Sequence, residues 1–139
     1  MMAFYPGVSK GPTTYYHHTT VDGAKAIRQD GVIRRSTESG GDAKFGSGTY
    51  LTLLGPQYPA IVIANNNWDG LSLTQIAGRT DAVIEIEMPA QEADKVEKLQ
   101  SSRDLHLYPG DLILKNKNYT IYIRDENGTA LVYTQVSAR

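Results

Sequence analysis

The sequence predicts an α+β fold in a single domain that spans residues 1–139. Extended runs of β-branched and aromatic residues recur along the whole chain, whereas two or three short helical patterns fall in its first two-thirds. This order favours a mainly antiparallel sheet over regular strand–helix–strand winding. The length of 139 residues and the 40% of apolar residues suit one core, and nothing indicates a second domain.

The first third of the chain is predicted to contain an irregular lead-in, a strand and a helix. Residues 1–12 hold two prolines and two glycines, whereas residues 13–19 are mostly β-branched and aromatic, as strands are. Thr20 or its neighbour is placed to cap a helix that Gly31 ends. A short extended segment then reaches Ser36.

The middle of the chain alternates between polar connections and short elements. Residues 37–48 contain four glycines among polar residues and are expected to form a loop, and residues 49–53 a strand. Pro56 suits the first turn of a helix that the asparagine run starting at Asn65 would end. A polar connection around the only tryptophan then covers residues 66–80.

The last third is predicted to be rich in strands. Residues 81–89 alternate as a half-buried strand does, and residues 90–100 are expected to form a charged helix. A Pro-Gly-Asp turn precedes a short strand over residues 112–114. Two β-rich runs, residues 119–124 and 129–136, surround an Asn-Gly turn, which is a strong hairpin signal.

The composition excludes several kinds of site. The chain has no cysteine, so it lacks disulfides, thiolate nucleophiles and cysteine-ligated metal centres, and its three histidines do not follow a metal-binding spacing. We therefore expect no metal. The net charge of −1 and the pI of about 6.3 argue against a nucleic-acid binder held by bulk electrostatics. No secretory signal or transmembrane segment is visible, so we expect a cytoplasmic protein or one delivered into a target cell.

The first motif that carries chemistry is Tyr15-Tyr16-His17-His18-Thr19-Thr20. Adjacent histidines on a strand point to opposite faces, so this pair is not expected to hold one metal together. The threonine hydroxyls come directly before a helix N-terminus, whose free N–H groups favour polar or anionic ligands. A purely structural, hydrogen-bonded histidine is the alternative interpretation of His17.

The second motif, about thirty residues later, is Gly46-Ser47-Gly48-Thr49-Tyr50-Leu51-Thr52. It is not the dinucleotide fingerprint, which needs a third glycine and a following helix, nor is it a phosphate-binding P-loop. The glycines leave the backbone bare, and the aromatic residue behind them can stack on a flat ring. The two motifs together suit a ligand with a planar ring and ribose hydroxyls, although a core position would also explain the tyrosine.

Two glutamates, Glu85 and Glu87, share one face of the strand predicted at residues 81–89. Carboxylates in that arrangement suit an acid–base pair. Solvation on the outer face of an amphipathic strand is the interpretation we favour for them.

Four stretches resemble the HYD-signature ADP-ribosyltransferases, small domains of the diphtheria-toxin and poly(ADP-ribose) polymerase superfamily that are often toxins or effectors. The similarity is close over residues 15–53 and looser over residues 81–89 and 116–123. It implies an ADP-ribosyltransferase-like fold with split, mainly antiparallel sheets. The stretches are residues 16–20 (YHHTT), 23–27 (GAKAI), 31–36 (GVIRRS) and 41–52 (GDAKFGSGTYLT).

The resemblance implies NAD as a consumed substrate and gives roles to the two motifs. His17 would hold the adenosine-side ribose, the backbone of His18 would contact the nicotinamide amide, and Tyr50 would stack on the nicotinamide ring. The nicotinamide–ribose bond would then break through an oxocarbenium-like state, whose positive charge must be stabilised. The candidate NAD-binding residues are Tyr16, His18, Thr19, Thr20, Phe45, Gly46, Ser47, Gly48, Thr52 and Tyr58.

The chain departs from the superfamily at the third catalytic position. Members of the His-Tyr-Glu type carry a glutamate at the opening of the late strand, where this sequence has Asn118. An amide can orient a ribose hydroxyl, but it has no negative charge and cannot act as a general base. If the strand is aligned differently, Glu85, Glu87 or Gln135 would serve instead.

The resemblance therefore implies a mono-ADP-ribosyltransferase that transfers ADP-ribose to an unknown acceptor, either a protein or a nucleic acid. An NAD glycohydrolase that uses water and an inactive module that binds NAD or ADP-ribose are the alternatives. A toxin-type member would also have an immunity protein as a partner. No membrane partner is expected.

Overall fold

The architecture comes from a computed structural model in which residues 9–36, 46–68 and 77–133 are described. Within these residues there are three helices and nine strands, and all strand pairs are antiparallel, so the predicted α+β class is confirmed. The strands are β1 (Thr13–Thr19), β2 (Val32–Ile33), β3 (Thr49–Leu51), β4 (Ala82–Met88), β5 (Glu97–Lys98), β6 (His106–Tyr108), β7 (Leu112–Ile113), β8 (Asn118–Arg124) and β9 (Ala130–Val132). The helices are α1 (Val21–Asp30), α2 (Ala60–Asn67) and α3 (Ala90–Ala93).

The largest sheet has the strand order β1–β4–β8–β9. Its second strand, β4, begins with Ala82, Val83 and Ile84, all of which are fully buried. The start of β4 is therefore covered on both faces, whereas the sequence predicts a strand that is half-buried along its length. Further along β4 the outer face opens, because Glu85 is half-buried and Glu87 is exposed.

Two smaller sheets, β2–β7 and β3–β6–β5, lie beside the large one. A single bridge, Tyr16–Thr52, joins β1 to the residue after β3, and another, Ser36–Gly48, joins the segment after β2 to the glycine loop. In each bridge the partners exchange backbone hydrogen bonds of 2.8–3.1 Å. The strand pairing of β1 with the β3 segment is therefore limited to one residue pair, and the sheets are split on either side of it.

Helix α1 begins and ends where the sequence predicts. The Oγ1 atom of Thr20 accepts the backbone N–H of Gly23 at 2.9 Å and caps the N-terminus. Gly31, with φ of 71°, closes the C-terminus and donates its N–H to the carbonyl of Ile27 at 2.8 Å. This cap fixes the start of α1 directly after the histidine end of β1.

Helix α2 differs from the sequence prediction in its start and its end. It follows Pro59, whereas Pro56 lies in a turn that the N–H of Tyr58 closes on the carbonyl of Gly55. Pro56 and Pro59 both lie close to the start of α2, and only Pro59 directly precedes the helix. The presence of a proline therefore does not identify the first residue of the helix from the sequence. The asparagine run forms the last turn of α2, and Trp68 follows it.

The charged helix predicted over residues 90–100 is wrong beyond its first turn. Helix α3 contains four residues, after which Val96 and Leu99 turn inward and are buried. The two residues between Val96 and the buried Leu99 pair with β6 as strand β5. Strand β6 itself has no counterpart in the sequence prediction. Long-range pairing has therefore overridden the local helical pattern here.

One hydrophobic cluster joins the three sheets. It packs against α1 through Ala24, and α3 contributes Ala93. Among the described residues, no helix is long and apolar enough to cross a membrane. The buried members from the strands and connections are Tyr15, Ile33, Leu51, Ala82, Ile84, Ile86, Met88, Val96, Tyr108, Leu112, Leu114 and Ile121.

Candidate active site

The two sequence motifs meet where β1 and β3 separate. The ring atom Nδ1 of His17 lies 2.9 Å from the backbone carbonyl oxygen of Tyr50. Two residues past the Tyr16–Thr52 bridge, the antiparallel register would bring His18 opposite Tyr50 as the next hydrogen-bonded pair. Among the described residues no bridge forms at that step, and the imidazole of His17 bonds the carbonyl of Tyr50 instead. A side chain thus takes the place of the next pair of backbone hydrogen bonds.

The hydrogen bond of His17 fixes its tautomer. A carbonyl oxygen only accepts, so Nδ1 carries the proton and donates it, which leaves a lone pair on Nε2. Burial lowers the pKa of His17 below its usual value, even though the bond to Tyr50 opposes that shift. The side chain is therefore neutral at pH 7, and its Nε2 can accept a hydrogen bond from a hydroxyl group.

His18 faces the other side of the sheet and is only 4% exposed. Its Nε2 donates to the carbonyl of Leu54 at 2.8 Å, and its buried Nδ1 has no hydrogen-bond partner. Burial lowers the pKa of His18 to about 4, so this ring is neutral at pH 7 as well. Because backbone groups alternate in direction along a strand, the N–H and C=O of His18 point toward the β3 side, as those of Tyr16 do.

Tyr50 is half-buried, and its hydroxyl donates to the carbonyl of Gly46 at 2.6 Å. This bond ties the phenol ring across the glycine loop. Gly46 has φ of 115°, and a Cβ atom built there would meet no heavy atom of the described residues within 4 Å. None of the residues that the structure describes therefore fills the side of Gly46 on which a side chain would lie.

Gly48 has a different reason to be glycine. A Cβ atom at this position would lie 2.6 Å from the carbonyl oxygen of Tyr108 and 2.7 Å from Cδ1 of Leu107. The sequence analysis predicts that the bare backbone of the glycines lets a ligand approach closely. At Gly48, strand β6 and not a ligand makes the close approach to the loop. Ser47, between the two glycines, is exposed and donates its hydroxyl to the carbonyl of Ser36 at 3.0 Å.

The threonines predicted at the site have structural partners in part. Thr20 caps α1, as described above. Thr52 is 1% exposed, and its Oγ1 accepts the N–H of Leu54 at 3.2 Å and the amide of Asn66 at 3.4 Å. Thr19 is half-buried beside Gly23, where an added Cβ atom would lie 2.5 Å from the hydroxyl oxygen of Thr19. Tyr16 is half-buried too, and Phe45 lies outside the described residues.

Residues 15–116 match the Tox-ART-HYD1 family, described as HYD1-signature-containing ADP-ribosyltransferases. The chain belongs to this family. The match starts in the histidine motif on β1 and includes the tyrosine motif on β3, so both sides of the geometry just described lie inside it. Neither the curated proteins nor the solved structures contain a significant match.

Membership of an ADP-ribosyltransferase family gives the chain a general activity, the transfer of ADP-ribose, and implies NAD as the substrate. It also places the chain in a toxin-type group. The earlier interpretation from the sequence, an HYD-signature ADP-ribosyltransferase, is confirmed at this level. Within the described residues, no group of three or more His, Cys, Asp or Glu side chains is arranged to hold a metal ion.

Asn118, the predicted third catalytic residue, lies two residues past the end of the family match. It is exposed at the start of β8 and pairs with Glu87. In the same register His17 pairs with Ile84, which pairs with Ile121. Asn118 is three residues before Ile121 on β8, and because side chains alternate along a strand, its side chain is on the opposite face of the sheet from that of His17. The structure therefore does not bring the side chains of Asn118 and His17 together.

Tyr58 lies in an open groove of about 480 Å³ whose lining includes neither His17 nor Tyr50. At one side of this groove, Arg124 donates to the carbonyls of Tyr58 at 2.9 Å, Gly128 at 3.1 Å and Thr80 at 3.0 Å. Burial lowers the pKa of Arg124. The guanidinium thus ties three chain segments together at the end of β8, and Tyr58 belongs to that junction. Gln135, the remaining alternative for the third position, lies outside the described residues.

Sequence reasoning missed the contacts that hold the end of β3 in place. Asp104 accepts the N–H of Leu53 at 3.1 Å and contacts Nε2 of His106 at 2.7 Å. Its backbone N–H donates to the side chain of Asn66 at 2.7 Å, and the amide of Asn66 donates back to the Asp104 carbonyl at 2.8 Å. These residues are up to 51 positions apart, so no local pattern could have indicated the contact.

Proposed function

We propose that the chain is an NAD-dependent mono-ADP-ribosyltransferase. It would cleave the nicotinamide–ribose bond of NAD and transfer the ADP-ribose group to an acceptor. The observation that carries the proposal is the 2.9 Å hydrogen bond between the His17 ring and the Tyr50 carbonyl, since it joins the two motifs at the split between β1 and β3. The family match supports ADP-ribosyl transfer as the general activity.

His17 and His18 would hold different parts of NAD. With Nδ1 bonded to Tyr50, the Nε2 lone pair of His17 would accept a hydrogen bond from a hydroxyl of the adenosine-side ribose. The backbone N–H and C=O of His18 face the side on which β3 diverges. An amide such as that of nicotinamide needs one acceptor and one donor, and this backbone position would supply both.

Tyr50 would stack on the nicotinamide ring. Its hydroxyl is held by the carbonyl of Gly46, and no described residue fills the position that a side chain on Gly46 would take. Offset stacking of an aromatic ring on a flat heterocycle is favourable and fixes the plane of the leaving group. Thr19 and Ser47 would add hydroxyl contacts to the same ligand.

Asn118 has no negative charge, unlike the glutamate that the superfamily carries at this position, and this difference bears on the type of transfer. An amide cannot take a proton from an acceptor and does not stabilise a cation as a carboxylate does. A site without that glutamate is poorly suited to repeated transfer onto ADP-ribose chains, so we propose a single transfer. An NAD glycohydrolase and an inactive binding module remain the alternatives that the experiment below separates.

The acceptor, the partner and the place of action are also proposals. With a net charge of −1, the chain would meet a protein or nucleic-acid acceptor without holding it by bulk electrostatics. A toxin-type member would be paired with an immunity protein. It would act in the cytoplasm, either of its own cell or of a cell into which it is delivered.

The decisive experiment measures nicotinamide release from NAD by the purified chain and by His17→Ala. We expect release by the wild type and a loss of at least about 100-fold in the variant, the range typical for removing one catalytic contact. The melting temperature of the variant without ligand shows whether its fold is intact. Equal release by both chains would contradict the assignment of His17.

The products distinguish the alternatives. Radiolabel from adenine-labelled NAD that appears in a macromolecule supports transfer, whereas free ADP-ribose formed at the rate of nicotinamide release supports hydrolysis. Stabilisation by NAD without nicotinamide release would support the inactive binding module.

A further inference from the structure

We propose that the open groove beside Tyr58 binds an acidic protein segment, with an aspartate or glutamate carboxylate of that segment bound to Arg124. The groove has a volume of about 480 Å³, which is typical of ligand sites. Its walls are residues 56–59, which precede α2, and residues 124 and 127–130 of the β8–β9 hairpin. Since neither catalytic motif lines the groove, the inference goes beyond the proposed activity and does not depend on it.

Three backbone carbonyls fix the guanidinium of Arg124 in the wall of the groove. Its Nε donates to Thr80 at 3.0 Å, its Nη1 to Gly128 at 3.1 Å and its Nη2 to Tyr58 at 2.9 Å. These carbonyls belong to three separate segments of the chain, so the side chain is held in one place. A ligand that binds it meets a preorganised group, and little side-chain entropy is lost on binding.

The three bonds leave two donors of Arg124 available. An arginine side chain has five N–H groups, and the bonds to carbonyls use one on each nitrogen. The second N–H of Nη1 and the second N–H of Nη2 have no partner among the described residues. A carboxylate has two acceptor oxygens and can accept from both terminal nitrogens.

No described carboxylate forms an ion pair with Arg124. Asp125 lies next to it in the sequence, but its Oδ1 accepts the N–H groups of Asn127 at 2.9 Å and Thr129 at 3.0 Å inside the hairpin turn. Burial lowers the pKa of Arg124, and the charge of Asp81, which is exposed, opposes that shift. The guanidinium stays charged at neutral pH, and this charge is available to an anion in the groove.

Arg124 is the one charged residue among those that line the groove, and this favours a protein ligand over a nucleic acid. A nucleic-acid strand carries a phosphate on each nucleotide and is bound by several lysines or arginines. The walls also include Pro56, Pro59 and the ring of Tyr58, against which the apolar parts of a peptide can pack. Because the groove is open, a chain can pass through it, which suits an internal side chain better than a chain terminus.

The test titrates the isotope-labelled chain with the peptide acetyl-Ala-Glu-Ala-amide and follows the backbone amides by nuclear magnetic resonance. The only carboxylate of this peptide is on its glutamate. We expect saturable shifts at Gly128 and Thr129, which line the groove, and none at Tyr50. The matched peptide with glutamine in place of glutamate should bind about 10-fold more weakly, since hydrogen bonds between charged groups contribute more than neutral ones.

Two variants test the role of Arg124. Arg124→Gln removes the charge and should weaken binding of the glutamate peptide about 10-fold. Because Arg124 also ties three segments together, its loss can disturb the fold, so Thr129→Glu is the second variant. It adds a competing carboxylate to the groove and keeps Arg124 in place. The described bonds of Thr129 to Asp125 use its backbone N–H and carbonyl, so the substitution retains both.

Gln29→Glu is the matched control for Thr129→Glu. It makes the same change in net charge at an exposed position of α1, outside the groove. We expect Thr129→Glu to bind the glutamate peptide about 10-fold more weakly than the wild type, because its carboxylate occupies Arg124. Gln29→Glu should bind like the wild type. The melting temperature of each variant without peptide shows whether its fold is intact.

Several results would overturn the inference. These are the absence of saturable shifts at Gly128 and Thr129, equal binding of the glutamate and glutamine peptides, and equal binding by Thr129→Glu and the wild type. A peptide whose only carboxylate is its C-terminus, acetyl-Ala-Gln-Ala, gives the last comparison. Tighter binding of this peptide than of the glutamate peptide would contradict an internal acidic side chain as the ligand. None of these measurements uses NAD, so the proposed function is tested separately.

Discussion

At the scale of single residues, the two adjacent histidines of β1 illustrate how burial decides chemistry. Both rings are neutral at pH 7, since burial lowers the pKa of each. The two rings differ in the nitrogen that makes no hydrogen bond within the protein, which is Nε2 in His17 and Nδ1 in His18. The free nitrogen of His17 is available to a ligand, whereas that of His18 is buried without a partner. The sequence places them side by side, and the pleat of the strand assigns them to opposite faces.

His18 makes the stability of the fold depend on pH. A histidine in the unfolded chain titrates near pH 6.5, whereas the pKa of His18 in the folded chain is about 4. Between these values the unfolded state binds a proton that the folded state does not, so stability falls as the pH drops through this window. The contribution of this one residue is at most about 1.4 kcal/mol per pH unit.

Urea unfolding at pH 7 and at pH 5 measures this dependence. The free energy of unfolding of the wild type should be lower at pH 5, and His18→Gln, which keeps a donor for the Leu54 carbonyl, should lose less over the same interval. His17 and His106, whose pKa values burial also lowers, contribute to the remaining slope in both chains. An identical pH dependence in wild type and variant would contradict the assignment.

At the scale of elements, strand β3 depends on contacts beyond its own sheet. It has three residues, and the carboxylate of Asp104 accepts the N–H of Leu53, two residues past its end. Asp104 in turn exchanges two hydrogen bonds with Asn66 at the end of α2. Since Tyr50 sits in the middle of β3, this contact positions the aromatic residue of the candidate site from the side opposite His17.

Replacing Asp104 tests this arrangement. Asp104→Ala should lower the free energy of unfolding by about 2 kcal/mol, because it removes a hydrogen-bonded carboxylate and leaves the N–H of Leu53 unpaired. Hydrogen exchange at the Leu53 amide should become faster, and nicotinamide release should fall. Asp104→Asn is the matched variant, because its side-chain oxygen can still accept the Leu53 N–H. Equal exchange rates in wild type and Asp104→Ala would contradict a role in holding β3.

The elements also show what the sequence could predict. The strand β1, the Thr20 and Gly31 ends of α1 and the hairpin of β8 and β9 were predicted correctly, since each depends on signals within a few residues. The helix expected over residues 90–100 was wrong because residues 97 and 98 pair with a strand near residue 107. Whether residues 97 and 98 form a helix or a strand depends on their pairing with β6, and the local hydrophobic periodicity carries no information about that pairing.

The candidate site divides in the same way. The motifs around His17 and Tyr50 are local patterns, and the family match includes both. The bond between the His17 ring and the Tyr50 carbonyl, by contrast, joins residues that are 33 positions apart in the sequence. The sequence identifies the residues of such a contact, but it does not show that they lie close together in the fold. The catalytic role of each of these residues stays a prediction.

At the scale of the whole molecule, one core serves all three sheets. Its members come from the large sheet through Ile84, from the β2–β7 sheet through Ile33 and Leu112, and from the β3–β6–β5 sheet through Leu51 and Tyr108. The sheets are split at the candidate site, yet they share this apolar cluster. We therefore expect the described elements to unfold together and not sheet by sheet, as the prediction of a single domain requires.

Guanidinium unfolding followed by two probes tests this expectation. The fluorescence of Trp68, at the end of α2, reports on one edge of the molecule, whereas far-ultraviolet circular dichroism reports on all strands and helices. The two transitions should coincide with one midpoint, as for a two-state domain. A non-cleavable NAD analogue at about 100 times its dissociation constant should stabilise both by about 2.7 kcal/mol, since a ligand at the split is linked to the shared core. If the fluorescence midpoint shifted alone, the α2–β3 region would be a separate cooperative unit, and the single-domain prediction would be wrong.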